Sequence, residues 1–143
     1  MITAISFSTI AHSTEDISKV ETAILNLLPD SMRRSQTVSA QEVVGHHGNP
    51  IWLVALGVRE KASAGEISEY IMRLIPVADR LRIRDQLDLF YDGRSTLFLR
   101  LDKQNAFLRE ARLSSGDDVI RVKISFIGKR GDRGEVLKVF GLY

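Results

Sequence analysis

The sequence predicts an α+β fold: a mostly antiparallel or mixed five-stranded sheet with helices packed on one face, in the order β-α-β-β-α-α-β-β-α. Three observations lead there. The 143 residues suit one domain, 1–143, with one continuous core, and no repeat, low-complexity run or Pro/Gly-rich linker divides them. Segments with an apolar period of two alternate along the chain with segments of period 3.6. Strand-like segments follow one another in pairs that hairpins can join, which favours antiparallel neighbours.

Taken in order, residues 2–10 are rich in Ile, Thr and Phe, with Ile5 and Phe7 on one side of a strand. Ser13, with Asp16 three positions later, reads as a helix start, and Ile17, Val20, Ile24, Leu27 and Leu28 form one stripe until Pro29 stops it. Residues 35–44 alternate as a strand, Val38 and Ala40 facing one way, Thr37, Ser39 and Gln41 the other. A glycine-flanked turn, 45–50, leads into Ile51 to Val58, an apolar run expected to be covered on both faces. A second helix opens at Ser63 with Glu66 three residues on, burying Ile67, Ile71 and Leu74 before Pro76. Residues 77–91 fit both periods, and helix is the preferred reading. After the turn Asp92-Gly93-Arg94, Leu97, Leu99 and Leu101 point one way while Phe98, Arg100 and Asp102 point the other. Residues 103–113 read as a short helix and loop. The strand 118–127 sends Ile120, Val122, Ile124 and Phe126 inward, and Arg121, Lys123 and Ser125 outward. A terminal helix carries Val136, Val139 and Phe140 on one side.

Composition excludes several classes. Apolar residues at 44% and charged residues at 27% are those of a globular domain and not of a disordered or fibrous chain. No window approaches the ~20 consecutive apolar residues of a membrane span. The amino terminus lacks the basic segment of a secretory signal, so a cytoplasmic address is the default expectation. With no cysteine, disulfides, thiolate metal sites and cysteine nucleophiles are absent.

Net charge is only +2, but its distribution is uneven. Residues 1–91 hold 9 basic and 11 acidic side chains, whereas 92–143 hold 11 and 7. Of the 20 basic residues 14 are arginine, whose planar fork suits bidentate contact with phosphate. The residues directed outward from the strands include Ser6, Ser8, Thr37, Ser39, Gln41, Arg100, Arg121 and Lys123, with Phe98 the aromatic exception. Such a face suits a nucleic-acid strand, because bases stack on rings and guanidinium planes while cations meet phosphates. The plain alternative is an antiparallel sheet solvated on one side. Lys129-Arg130-Gly131-Asp132-Arg133-Gly134 is a second basic segment able to touch a nucleic-acid backbone.

The motifs for catalysis are thin. His12, His46 and His47 lack metal-ligand spacing, so no metal or other cofactor is expected. Amides of the Gly45 to Gly48 turn could cradle a phosphate, but the Gly-Lys-Ser/Thr ending of a nucleotide loop is missing. Asp102, Asp117 and Asp118 are the carboxylates a metal-dependent nuclease would recruit. Asp117 and Asp118, after Ser114-Ser115-Gly116, read more simply as turn chemistry. No Ser/His/Asp elbow or His-Glu pair is present, and the chain is read as no enzyme.

Two segments carry a family resemblance: Gly45-His46-His47-Gly48-Asn49-Pro50-Ile51, and Leu97-Phe98-Leu99-Arg100-Leu101-Asp102-Lys103-Gln104-Asn105-Ala106-Phe107 continuing to Gly116-Asp117-Asp118-Val119-Ile120-Arg121-Val122-Lys123-Ile124. Across most of its length the chain resembles the archaeal exosome-subunit-like RNA-binding family. Those small proteins have a double-stranded-RNA-binding-like fold, also grouped with the α+β fold of the ribosomal protein that contacts 5S RNA. His47 stands where the family loop tends to carry Tyr. The resemblance implies a non-catalytic RNA-binding accessory of RNA processing, with the exosome a possible associate. It adds His46, Asn49 and Lys103 to the candidate RNA contacts Phe98, Arg100, Arg121, Lys123, Lys129 and Arg130, and His47, at the position that departs from the family loop, is a further candidate. The alternative is a protein-interaction module or a homodimer built through Val136, Val139 and Phe140.

Overall fold

The computed structural model describes residues 1–44 and 48–143. Five strands, β1 (Ile2–Ala11), β2 (Ser39–Val44), β3 (Pro50–Val58), β4 (Thr96–Asp102) and β5 (Val119–Phe126), form one sheet in the order β2-β3-β1-β5-β4. Every neighbouring pair is antiparallel. The helices are α1 (Ile17–Leu25), α2 (Lys61–Leu74), α3 (Val77–Asp85), α4 (Lys103–Phe107) and α5 (Arg133–Val139). The α+β fold and five-stranded antiparallel sheet expected from the sequence are therefore present. The short α4 sits in the β4–β5 connection, where a short helix and loop were expected.

One face of the sheet is covered. Ile5 and Phe7 of β1, Val54, Leu56 and Val58 of β3, Leu97, Leu99 and Leu101 of β4, and Ile120, Val122 and Ile124 of β5 are buried in a single cluster with Ile24 of α1 and Ile67 and Ile71 of α2. Burial of one such aliphatic side chain stabilises by about 1.5–3 kcal/mol, so this layer dominates the fold's stability. Ile83, Leu87 and the carboxyl-terminal Val136 and Phe140 extend the same cluster. Phe140 meets Phe126 edge to face at 5.3 Å. The dimer surface expected from Val136, Val139 and Phe140 is thus not available, because Val136 and Phe140 are spent on the chain's own core.

Several local expectations shift by one motif. The cap of α1 is Asp16, whose carboxylate accepts from the Ser18 amide at 2.9 Å, and not Ser13. The cap of α2 is Glu60, which accepts from the Ser63 amide at 3.0 Å. A carboxylate satisfies the orphan amides and also meets the positive helix end, so it displaces serine from the cap. Residues Asp30–Ser35 are a 3₁₀ turn, and the strand expected from 35 begins only at Ser39. Arg33 explains the turn: its Nε donates to the carbonyls of Leu25 and Leu28 at 3.1 and 3.0 Å, tying it to the end of α1. The 77–91 helix ends at Asp85 and continues as the 3₁₀ turn Leu87–Leu89. The expectation that β3 is covered on both faces fails. The helices lie on the other side, and Leu53 is 43% exposed.

Candidate nucleic-acid interface

The uncovered face of the sheet follows directly from the register. Ser39, Ala55, Ser8, Arg121 and Arg100 lie opposite one another in one row across all five strands. The next row is Gly57, Ser6, Lys123 and Phe98. On the other side of the first row lie Gln41, Leu53 and Ile10. Directly paired residues of an antiparallel ladder share a face with Cβ atoms about 4.5–5.5 Å apart, so Phe98, Arg100, Arg121 and Lys123 form one contiguous patch.

Two contacts order this patch. Arg100 Nη2 donates to the carbonyl of Gly116 at 2.7 Å, which steadies the guanidinium against the β4–β5 connection. Lys123 Nζ lies 6.0 Å from the centre of the Phe98 ring, at the outer reach of a cation–π contact. Phe98 is 45% exposed, so its ring also meets solvent. The ion pairs among the described residues involve Arg33, Arg84, Lys103, Arg112 and Arg133, and none reaches Arg100, Arg121 or Lys123. Two arginines directly opposite one another on neighbouring strands repel, which destabilises the pair relative to a neutral one. An anion seated between the two forks removes the repulsion.

Lys103 is used differently from the expectation. Its side chain is only 4% exposed and its Nζ donates to the Ile10 carbonyl at 2.7 Å. The same ammonium lies 3.1 Å from both Glu15 carboxylate oxygens and 2.9 Å from Asp118 Oδ1. A cation so enclosed has no donor left for phosphate; it is a strut joining α4, the end of β1 and the entry to β5. Burial pushes the Asp118 carboxyl up, but hydrogen bonds from Gln104 and Lys103 and the charges of Lys103 and His12 outweigh it, holding the group below its ordinary range. Asp102 is likewise engaged, capping α4 by accepting from the Asn105 amide at 2.8 Å. Two of the carboxylates a nuclease reading would recruit are therefore structural. Among the described residues no group of three His, Cys, Asp or Glu converges as a metal site.

The remaining candidates are dispersed. Lys129 and Arg130 are exposed and follow β5 at the end of the sheet where Ile2 pairs with Phe126. Asn49 is exposed just before β3, at the end where Trp52 pairs with Ala11. His46 and His47 lie outside the described residues. A cavity of about 890 Å³ on the helical side mixes Lys61, Arg73, Arg80 and Lys138 with Glu66 and Glu69, so its cations are interleaved with carboxylates.

The sequence does not mark Ile10 or Leu53 as members of the open face, and it raises His12 only as a metal ligand. Ile10 and Leu53 are 37% and 43% exposed beside Ser8, and His12 lines a cavity with Arg121. Their adjacency depends on the pairing of β1 with β3, which periodicity within either strand does not encode. No helix of the described residues is long and apolar enough to cross a membrane.

Comparison with known proteins adds a family. A family model described as RNA binding matches residues 4–126. An RNA-binding protein of Pyrococcus abyssi, PAB1135, is 32% identical over 117 residues, covering 81% of this chain and 76% of that protein. The uncharacterized protein MJ0213 of Methanocaldococcus jannaschii is 33% identical over 129 residues, 88% of this chain and 85% of that one. The crystal structure of protein AF2318 from Archaeglobus fulgidus, of family DUF54, superimposes with a TM-score of 0.80 at 28% identity over 100% of both chains.

Proposed function

The chain belongs to the RNA-binding family, and on that premise we propose that it binds RNA without catalysis, on the open face of β4 and β5. The observation that carries this reading is the opposed pair Arg100 and Arg121, unneutralised and flanked by Lys123 and the exposed ring of Phe98. The two guanidiniums and the ammonium meet backbone phosphates, and Phe98 offers one base a stacking surface. Asn49 at one end of the sheet, and Lys129 and Arg130 at the other, lengthen the track beyond this patch. Membership of an RNA-processing assembly such as the exosome is a finer reading; the resemblance of the motifs is its support, and co-purification with RNA digested away is its test.

The binding reading is tested by filter binding of a single-stranded RNA at several salt concentrations, with heparin as competitor. If about 3 to 5 phosphates are contacted, the logarithm of affinity falls with that of salt at a slope near −2 to −3.5. Replacing Arg100, Arg121 and Lys123 together by Ala lowers affinity at least tenfold and removes about 2 from the slope, at ~0.7 per lost phosphate contact. Unchanged affinity in that variant rejects this face, and equal competition by heparin reduces the activity to general anion binding.

A further inference from the structure

The strands β1 and β5 stay paired as far as Ser8 opposite Arg121 and then separate. Beyond that point, among the described residues, Thr9 Oγ1 donates to the Val119 carbonyl at 2.8 Å, and Lys103 of α4 bridges the Ile10 carbonyl and Asp118 just ahead of β5. A cavity of about 280 Å³ opens over this gap, at the edge of the cationic patch. Its lining includes Ser8, Ile10, His12, Leu53, Asp117 and Arg121. Just below the roughly 300–1,000 Å³ typical of ligand pockets, it suits one flat ring system and not a folded peptide or a whole nucleotide chain.

The charges in the lining select among ring systems. Lys103 is already compensated by Glu15 and Asp118, which leaves the Asp117 carboxylate and the Arg121 guanidinium. Both residues are exposed, and they form no ion pair with each other. One is an acceptor of paired N–H groups, the other a donor of paired N–H groups. Ile10 and Leu53 supply apolar walls, and the His12 imidazole is the ring in the lining.

We propose that this pocket receives a guanine base of the bound RNA strand, with Asp117 and Arg121 as the reading residues. Guanine is the base whose edges offer both halves of the match: adjacent N1–H and N2–H₂ donors for a carboxylate, and adjacent O6 and N7 acceptors for an arginine fork. Cytosine lacks the paired donors, and adenine and uracil lack both paired edges. The inference rests on the RNA-binding reading above, because Arg121 belongs to both the phosphate-binding patch and the pocket: one edge of its five-donor guanidinium pairs with O6 and N7 and the other remains for a phosphate.

The test is fluorescence anisotropy with uridine oligomers of one length carrying a single central G, inosine, A or C, or none, at moderate salt. The protein is compared with its D117A and R100A/K123A variants. Expected are a preference of about tenfold for G, a loss of most of it with inosine, which lacks the N2 amino group, and its disappearance in D117A. The readout for D117A is the ratio of its affinities for the G-containing and all-uridine oligomers, and its fold is verified separately by circular dichroism. The R100A/K123A variant weakens every oligomer alike and keeps the preference. Equal binding of all five oligomers, with normal salt dependence, overturns the guanine pocket and leaves the RNA-binding face standing. A preference that survives in D117A overturns the assignment of Asp117. Absence of any salt-dependent RNA binding overturns both readings together.

Discussion

Replacing Lys103 by Met separates a structural cation from a ligand-binding one. The methionine fills most of the space but leaves Glu15, Asp118 and the Ile10 carbonyl without the ammonium that now joins them at 2.7–3.1 Å. Removing one partner of a fully buried ion pair costs about 3–5 kcal/mol. Here the carboxylate side chains are 23% and 48% exposed, so water recovers part of that cost. A loss of about 2–3 kcal/mol remains, equivalent to a Tm lowered by roughly 5–10 °C in a domain of this size. The assay is thermal unfolding followed by circular dichroism, with RNA affinity measured well below the transition. K103M is expected to melt early yet bind RNA within about twofold of the unsubstituted protein, about 0.4 kcal/mol. The reverse pattern, an unchanged Tm with binding lost, would refute the reasoning and return Lys103 to the RNA contacts.

Three further outcomes follow from the same structure. Asp118 has its carboxyl pKa depressed in the folded state, so the stability it contributes is fully present above the ordinary aspartate value of about 3.9 and is lost as pH falls through the lower folded value. Acid unfolding of D118N should accordingly show a shallower fall below pH 4 than the unsubstituted chain, and identical acid limbs would contradict this. Phe98→Ala, at an exposed position, should leave Tm within about 2 °C but weaken RNA binding roughly 5- to 150-fold, the range of one lost base stack. Arg121→Gln relieves the cross-strand repulsion with Arg100, so Tm is expected to hold or rise by up to about 2 °C while RNA affinity falls; a Tm several degrees lower would make this guanidinium structural.

What was legible in the sequence is what short-range patterning encodes. The alternation Leu97, Leu99, Leu101 against Phe98, Arg100 in β4, and Ile120, Val122, Ile124 against Arg121, Lys123 in β5, assigns the buried and open faces correctly, because a period of two leaves no freedom once one face is covered. Those two strands also hold the cationic patch, which is why most of its members could be named in advance. Lys103 could not be placed, since its partners Glu15 and Asp118 come from distant parts of the chain and meet it only after β1 and β5 pair. The apolar run of β3 misled for a related reason: an uninterrupted Ile-Trp-Leu-Val sequence does not reveal which side the helices take. Val136 and Phe140 read as a free stripe because an amphipathic helix looks the same whether it faces its own core or a second copy.

Backbone amide chemical shifts of the ¹⁵N-labelled protein, followed through a titration with single-stranded RNA, test most directly where the strand lies. The account requires the shifts to concentrate on residues 97–101 and 119–125, spreading to Ser6 and Ser8 in the adjoining strand. Shifts gathered instead around Lys61, Arg73 and Lys138 on the helical side, with β4 and β5 silent, would contradict it.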